Sequence, residues 1–207
     1  MSASLRQPRL RHARVVGERV ELRPLRAADA DEAFPLIHAQ EEVLRWLVWE
    51  GPRDLDELRS SYAEFCRPSD EGDDYRFAIV DRERGEFAGS IGPRFQGHPG
   101  LGDLGYWLAQ RAWGRGLASE ALRLLTHLCF RELEAQVLYG YVFVGNEASR
   151  RVLEKVGYEH EYTARGKTLK RGQPIDEWYL ALSRNAWARQ PDWEPLEIEV
   201  EFEPDAR

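Results

Sequence analysis

The chain has 207 residues, of which 43% are hydrophobic and 31% are charged, which is enough apolar material for one folded domain and little more. The formal net charge of −7 argues against a nucleic-acid partner, because such domains usually carry a basic surface. The two cysteines, Cys66 and Cys129, have neither metal-ligand spacing nor the number that a disulfide framework needs. We therefore expect no metal and a reducing, cytoplasmic location.

The two ends of the chain differ from the middle. Residues 1–17 contain four arginines without an apolar run behind them, which predicts a flexible basic arm rather than a signal peptide. No stretch reaches the roughly 18 apolar residues of a membrane span, so we expect no membrane partner. In the acidic tail, residues 191–207, apolar residues alternate with glutamates from Leu196 to Glu203. This alternation predicts an additional strand, packed on its own domain or on a partner.

The residues between these ends, 18–190, are predicted to form a single domain. Its first elements are a strand near Val20–Leu25 and a helix for which Asp29 is a plausible N-cap. A second helix is predicted over Leu55–Phe65 after Gly51 and Pro52. Three strands joined by turns then form an antiparallel meander over residues 76–80, 86–91 and 101–108.

The second half of the domain begins with an amphipathic helix over about Gly116–Arg131 and an apolar strand over Val137–Val144. A strand, a crossover helix and a strand in this order form a parallel pair. Another helix follows over Asn146–Val156, stopped by Gly157, and two final strands are predicted near Tyr158–Ala164 and Ile175–Leu182. The fold class is α/β, with a mixed, mostly antiparallel sheet of about seven strands.

The most informative segment is the loop that carries Gly114 and Gly116 and opens directly into the long helix. The first turn of a helix leaves backbone N–H groups unpaired and adds partial positive charge, so an anion is its natural partner. Glycines let the backbone approach a diphosphate closely, and Arg111 and Arg115 can add charge.

Other ligands fit this loop less well. A nucleoside triphosphate loop needs Lys followed by Ser or Thr, where this chain has Leu117 and Ala118. A dinucleotide fingerprint needs a third glycine, where Ser119 stands. A glycine-rich turn without a ligand is the structural alternative, and a coenzyme A diphosphate site is the interpretation that these residues favour.

The motif Arg111-x-x-Gly114-x-Gly116, followed by Leu117 and Ala118, resembles the acyl-coenzyme A signature of the GNAT superfamily of N-acetyltransferases. Further segments are similar to its ribosomal-protein alanine acetyltransferase (RimJ/RimL-like) branch: Leu104–Leu108, Trp113–Gly116, Asn146–Ser149, Leu153–Tyr158 and Val20–Leu25. The resemblance covers about Arg19–Trp187. It implies a GNAT-like sheet with a splayed central parallel pair, helices on both faces, and acetyl transfer from acetyl-CoA to a primary amine.

The resemblance also implies roles for particular residues. The loop residues Arg111 and Gly114–Ala118 would bind the diphosphate, and Asn146 would bind pantetheine while also capping its helix. A backbone N–H near Trp107 or Leu108 would polarise the thioester carbonyl. Trp46, Trp49 and Tyr141 would contact the acceptor, although each is equally a residue type that fills core space.

The catalytic residues depart from common family patterns. Leu153 stands where many relatives have a tyrosine acid, and Thr168 stands where the ribosomal branch has a glutamate base. Ser149 matches a serine acid of that branch, and Asp103 is the substitute base, with an ordinary surface role as its alternative.

Three hypotheses stay open at this stage. The first is an active enzyme acting on a protein N-terminus or a small amine, with homodimers common among its relatives. The second is a non-catalytic acyl-CoA-binding regulator. The third is a dinucleotide-dependent enzyme.

Overall fold

The structure is a computed structural model that describes residues 13–66, 75–95 and 100–190, together with the backbone of residues 199–202. Most of the predicted arm and most of the acidic tail lie outside these residues. The described segments form an α/β fold in which one large sheet carries helices on both faces.

Nine strands of the described residues form a single sheet in the order β7-β8-β6-β5-β4-β3-β2-β1-β9. In chain order the strands are β1 Ala13–Val16, β2 Val20–Pro24, β3 Phe77–Asp81, β4 Glu86–Arg94, β5 Leu101–Leu108, β6 Val137–Phe143, β7 Glu159–Lys170, β8 Gln173–Ser183 and β9 Glu199–Phe202. Only β5 and β6 pair in parallel, and every other neighbouring pair is antiparallel. The predicted mixed, mostly antiparallel sheet is confirmed.

The sheet is wider than the predicted seven strands, and the two additional strands come from the ends of the chain. Strand β1 lies within residues 1–17, so the prediction of an arm is wrong for residues 13–16. These residues pair with β2 on one side and with β9 on the other. Ala13 and Val15 are fully buried, which explains why the segment is held in the sheet.

The helices are α1 Asp29–Ile37, α2 Glu41–Leu44, α3 Leu55–Phe65, α4 Leu117–Glu132, α5 Glu147–Val156 and α6 Arg184–Ala188. Asp29 was predicted to be the N-cap of α1, but it is not. It is the first residue of α1, and its carboxylate binds the guanidinium of Arg23 at 2.8 Å. Asn146 does cap α5, because its side-chain oxygen accepts the N–H of Ser149 at 3.1 Å.

Two apolar clusters hold the layers together. One lies between the sheet and helices α4 and α5, and the other lies between the opposite face and helices α1–α3. The predicted inner face of α4 is buried throughout: Leu117, Ala121, Leu124, Leu125 and Leu128. Full burial of each leucine contributes about 1.5–3 kcal/mol.

The central strands β5 and β6 separate part of the way along their length. Their parallel pairing extends only from Leu101 opposite Val137 to Leu104 opposite Gly140, whereas β5 stays paired with β4 through to Leu108. The only register irregularity within this β3–β5 part of the sheet lies between β3 and β4, near Ile79 and Val80. Because β6 diverges from β5 beyond Leu104, a wedge opens between these two strands. Residues 105–108 of β5 therefore have a free edge on the side that faces β6.

Candidate active site

The wedge continues into a cleft of about 540 Å³, a volume typical of a small-molecule site. We call its two walls the helix side and the hairpin side. The helix side is formed by residues 112–122 and by α5. The hairpin side is formed by residues 43–48, by residues 141 and 143 of β6, and by β8.

The helix side contains the glycine loop that the sequence singled out. Gly114 and Gly116 have φ angles of +73° and +79°, a backbone conformation that side chains with a Cβ rarely adopt. The first hydrogen bond of α4 is donated by the N–H of Glu120 to Gly116 at 3.1 Å, and no side chain of the described residues caps this helix. The N–H groups of residues 117–119 are therefore outside the helical hydrogen bonding and suited to an anion.

The two arginines predicted to bind the diphosphate lie elsewhere. Arg115 binds the buried carboxylate of Asp81 and also Glu83, and Arg111 pairs with Glu86 at 2.9 Å. Burial works to raise the pKa of Asp81, but the hydrogen bond and charge of Arg115 together with the backbone N–H groups of Glu83 and Arg84 outweigh it, and the pKa lies below its usual value. These ion pairs fasten the loop to the turn between β3 and β4, so neither guanidinium lines the cleft.

Two cations that the sequence analysis missed do line the helix side. Arg151 and Lys155 are four residues apart on α5, so their side chains lie on the same face of the helix. The spacing alone could have identified them, since both follow Ser149 on an amphipathic helix. They provide the positive charge that Arg111 and Arg115 do not.

The predicted acid, Ser149, lies beside a tyrosine that sequence reasoning missed. The hydroxyl of Tyr106 on β5 donates to Ser149 Oγ at 3.1 Å across the wedge. Burial raises the pKa of Tyr106, and the hydrogen bond with Ser149 partly offsets this effect. Leu153, in the place of the absent tyrosine, is a buried core residue.

The alternation of β5 decides which backbone N–H faces the wedge. The N–H of Ala109 bonds to Ala88 of β4 at 2.8 Å, so the N–H of Trp107 also points toward β4 and that of Leu108 points into the wedge. Of the two predicted donors, Leu108 has the suitable orientation. The Trp107 ring packs against Phe87 instead, with 5.9 Å between centroids.

The hairpin side contains the other predicted residues. Trp46 and Tyr141 line the cleft, whereas Trp49 does not and is 39% exposed. Burial raises the pKa of Tyr141 to about 12. Asp103 also lines the cleft, but both of its carboxylate oxygens accept hydrogen bonds from Arg94, at 3.0 and 3.2 Å.

A carboxylate that the sequence analysis missed completes this wall. Glu177 on β8 lies opposite Phe143 of β6 and is only 6% exposed. The signal for it was the alternation of β8, which places Glu177 on the same face as Tyr179. The tip of the β7–β8 hairpin then contacts the region of α2, through Arg171 with Glu41 at 3.1 Å and Lys170 with the carbonyl of Leu47 at 2.6 Å.

Two absences hold for the part of the chain that the structure describes. Those residues contain no group of three or more His, Cys, Asp or Glu side chains that could hold a metal ion. Their helices are also too short or too polar to cross a membrane.

The splayed parallel pair, the uncapped helix at its mouth and the opposed hydroxyl and carboxylate groups define an acyltransferase. Residues 19–159 match the model of the acetyltransferase (GNAT) domain, and the chain belongs to this family. The resemblance inferred from the sequence motifs is thereby confirmed.

Individual relatives agree with this placement. Bacillus subtilis YdaF, whose name assigns it provisionally to the ribosomal N-acetyltransferases, is 30% identical over 83% of this chain and 95% of its own. The structure of Mycobacterium smegmatis RimJ in complex with CoA-disulfide has a TM-score of 0.73 at 25% identity, covering 83% of this chain and 85% of that one. A Brucella melitensis GCN5-related N-acetyltransferase has a TM-score of 0.75 at 22% identity, covering 86% and 81%.

Proposed function

We propose that this protein transfers the acetyl group of acetyl-CoA to a primary amine, either the α-amine of a protein N-terminus or a small-molecule amine. The observation that carries the proposal is the continuity of the cleft. Its helix side ends at the free N–H groups of α4, and its wedge exposes the unpaired edge of β5. One extended ligand with a diphosphate at one end and an amide-containing arm at the other fits both features.

In this proposal the diphosphate lies on the backbone of residues 114–118, with Arg151 and Lys155 nearby. The pantetheine arm follows residues 105–108 and reaches Asn146. The thioester carbonyl accepts a hydrogen bond from the N–H of Leu108, which stabilises the negative charge that develops on its oxygen.

The chemistry is direct attack in a ternary complex. Holding the amine and the thioester together provides much of the rate gain. The Tyr106–Ser149 pair lies on the wall that faces the departing sulfur, and Ser149 is proposed as the acid that protonates it. The likeness to RimJ, which was solved in complex with CoA-disulfide, supports coenzyme A as the carrier of the acetyl group.

Two measurements test the function. Calorimetry should show binding of acetyl-CoA and none of NAD, since the loop lacks the third glycine of a dinucleotide site. A thiol-release assay should then show turnover with at least one amine among peptides beginning with alanine or serine, polyamines and amino acids, with the product identified by mass spectrometry. Binding without turnover on any of them would favour the non-catalytic regulator, and binding of NAD alone would refute the proposal.

A further inference from the structure

Glu177 is a buried carboxylate that forms no direct ion pair in the described part of the chain, although its charge interacts with the ammonium group of Lys167. Buried carboxylates are generally paired with a cation, because losing hydration is costly. The hydrogen-bond partners of Glu177 among the described residues are two hydroxyls, Thr168 Oγ1 at 2.7 Å and Tyr179 at 3.4 Å. A carboxylate offers about four acceptor positions, so these bonds leave capacity for a further donor from the cleft.

The wall around Glu177 is aromatic. Tyr179 packs between Tyr141 and Tyr162, with 4.4 and 4.5 Å between ring centroids. The ammonium group of Lys167 lies 4.7 Å from the centre of the Tyr179 ring and hydrogen-bonds its hydroxyl. This hydrogen bond raises the pKa of Lys167. Aromatic faces attract cations, and this wall already holds one primary ammonium of the chain itself.

We infer that Glu177 binds the ammonium group of the acceptor and accepts the proton that the amine must lose before it attacks. This inference rests on the proposed acetyl transfer and assigns its base. Asp103, the base predicted from the sequence, is less suited because it already forms an ion pair with Arg94 through both of its oxygens, whereas Glu177 forms no direct ion pair among the described residues.

Acetyl transfer with Glu177 as the base accounts for every proton and electron pair. The ammonium gives one proton to the Glu177 carboxylate, which passes it to solvent. The nitrogen lone pair forms the C–N bond at the thioester carbonyl, the C–S bond breaks, and its electron pair stays on sulfur. The sulfur takes a proton from the hydroxyl of Ser149. The nitrogen then gives its second proton to Ser149, which restores the hydroxyl. The reaction therefore releases one proton overall.

The test compares Glu177→Gln with the wild-type protein, using the panel amine that gives the highest turnover. Glutamine keeps the size of the side chain and can still bond to Thr168 and Tyr179. We expect kcat at neutral pH to fall by at least about a hundredfold, within the range for loss of a general base, while the Kd for acetyl-CoA changes less than about twofold. The variant's rate should also keep rising with pH, because the amine then deprotonates without help.

Glu161→Gln is the matched control, since Glu161 is an exposed residue of the same hairpin. It should leave turnover and its pH profile unchanged. Glu177→Asp retains a carboxylate and should recover part of the activity lost in Glu177→Gln. If the glutamine variant unfolds, the aspartate variant still tests the role of the carboxylate.

The outcomes separate the two proposals. A Glu177→Gln variant that stays within about threefold of wild type from about pH 6 to 9 would overturn the role of Glu177 while the acetyltransferase activity stands. The same holds if Glu177→Asp is no better than Glu177→Gln when both are folded. A wild-type protein that acetylates no amine of the panel would refute the acetyl transfer itself, and the base with it.

Discussion

The helix side and the hairpin side of the cleft are built from different material. On the helix side, the proposed contacts of the glycine loop are backbone groups, the N–H groups of residues 117–119, and they continue the free edge of β5 within one stretch of sequence, to which α5 adds side chains. The hairpin side binds with side chains, and Trp46, Asp103, Tyr141 and Glu177 come from four separate segments. A site built from backbone groups keeps its contacts after any substitution that leaves the backbone conformation intact. A site built from side chains loses or alters a contact with each substitution.

This contrast explains how one fold serves many acceptors. The cosubstrate is the same throughout such a family, so the part of the site that binds it can be fixed by the path of the chain. The acceptor varies, and the residues that contact it can change without disturbing the helix at the other wall. Substitutions in the glycine loop should therefore change cofactor affinity, whereas substitutions on the hairpin side should change acceptor turnover.

The largest effect is expected from Gly114→Glu on the helix side. The new carboxylate would meet the diphosphate at close range, and the φ of +73° is strained for any residue with a Cβ. Affinity for acetyl-CoA should fall at least about a hundredfold by calorimetry. Gly172→Glu is the matched control, because Gly172 has a φ of +74° and equally open space but lies at the hairpin tip. Equal losses in both variants would contradict the diphosphate site.

An intermediate effect is expected from Ser149→Ala, which removes the proposed proton donor at the wall facing the sulfur. We expect kcat to fall roughly ten- to a hundredfold, with acetyl-CoA affinity nearly unchanged. Tyr106→Phe, which removes the hydroxyl that orients Ser149, should cost less, and adding it to Ser149→Ala should cost little more. A Tyr106→Phe variant slower than Ser149→Ala would identify the tyrosine as the donor instead.

The smallest effect is expected on the hairpin side from Trp46→Ala. It should raise the acceptor KM several-fold and leave the Kd for acetyl-CoA unchanged, because Trp46 lines the hairpin side of the cleft, where the acceptor is proposed to bind. Trp49→Ala removes the same side chain from a position outside the cleft and should change neither constant. If both variants raised KM alike, this wall would not be where the acceptor binds.

The fold was largely predictable because its signals are local. The alternation of strands, the apolar face of α4 and the stop at Gly157 are each set by residues near in sequence, and all were found. The errors have a physical reason too. Asp29 looks like an N-cap in sequence, but the guanidinium of Arg23 on the neighbouring strand binds its carboxylate. The strand at Ala13 is stabilised by β9, from the far end of the chain.

Local spacing alone placed the glycine loop at the cleft, whereas Trp46, Tyr141 and Ser149 were placed there by the family resemblance. Gly114, Gly116 and Asn146 were identified because their spacing around a helix start has a local cause. Arg115 was assigned to the diphosphate on proximity, yet Asp81 binds it from a strand that is distant in sequence. Glu177 was missed because its surroundings depend on the pairing of β8 with both β6 and β7, which a single sequence does not specify.

The contact between the hairpin tip and the α2 region has a mechanical consequence. It consists of the exposed ion pair Arg171–Glu41 and one lysine-to-carbonyl hydrogen bond, and an exposed pair of this kind contributes only about 0–1 kcal/mol. The ion pair can therefore break at small cost while the two strands of the hairpin stay paired with each other and with the rest of the sheet.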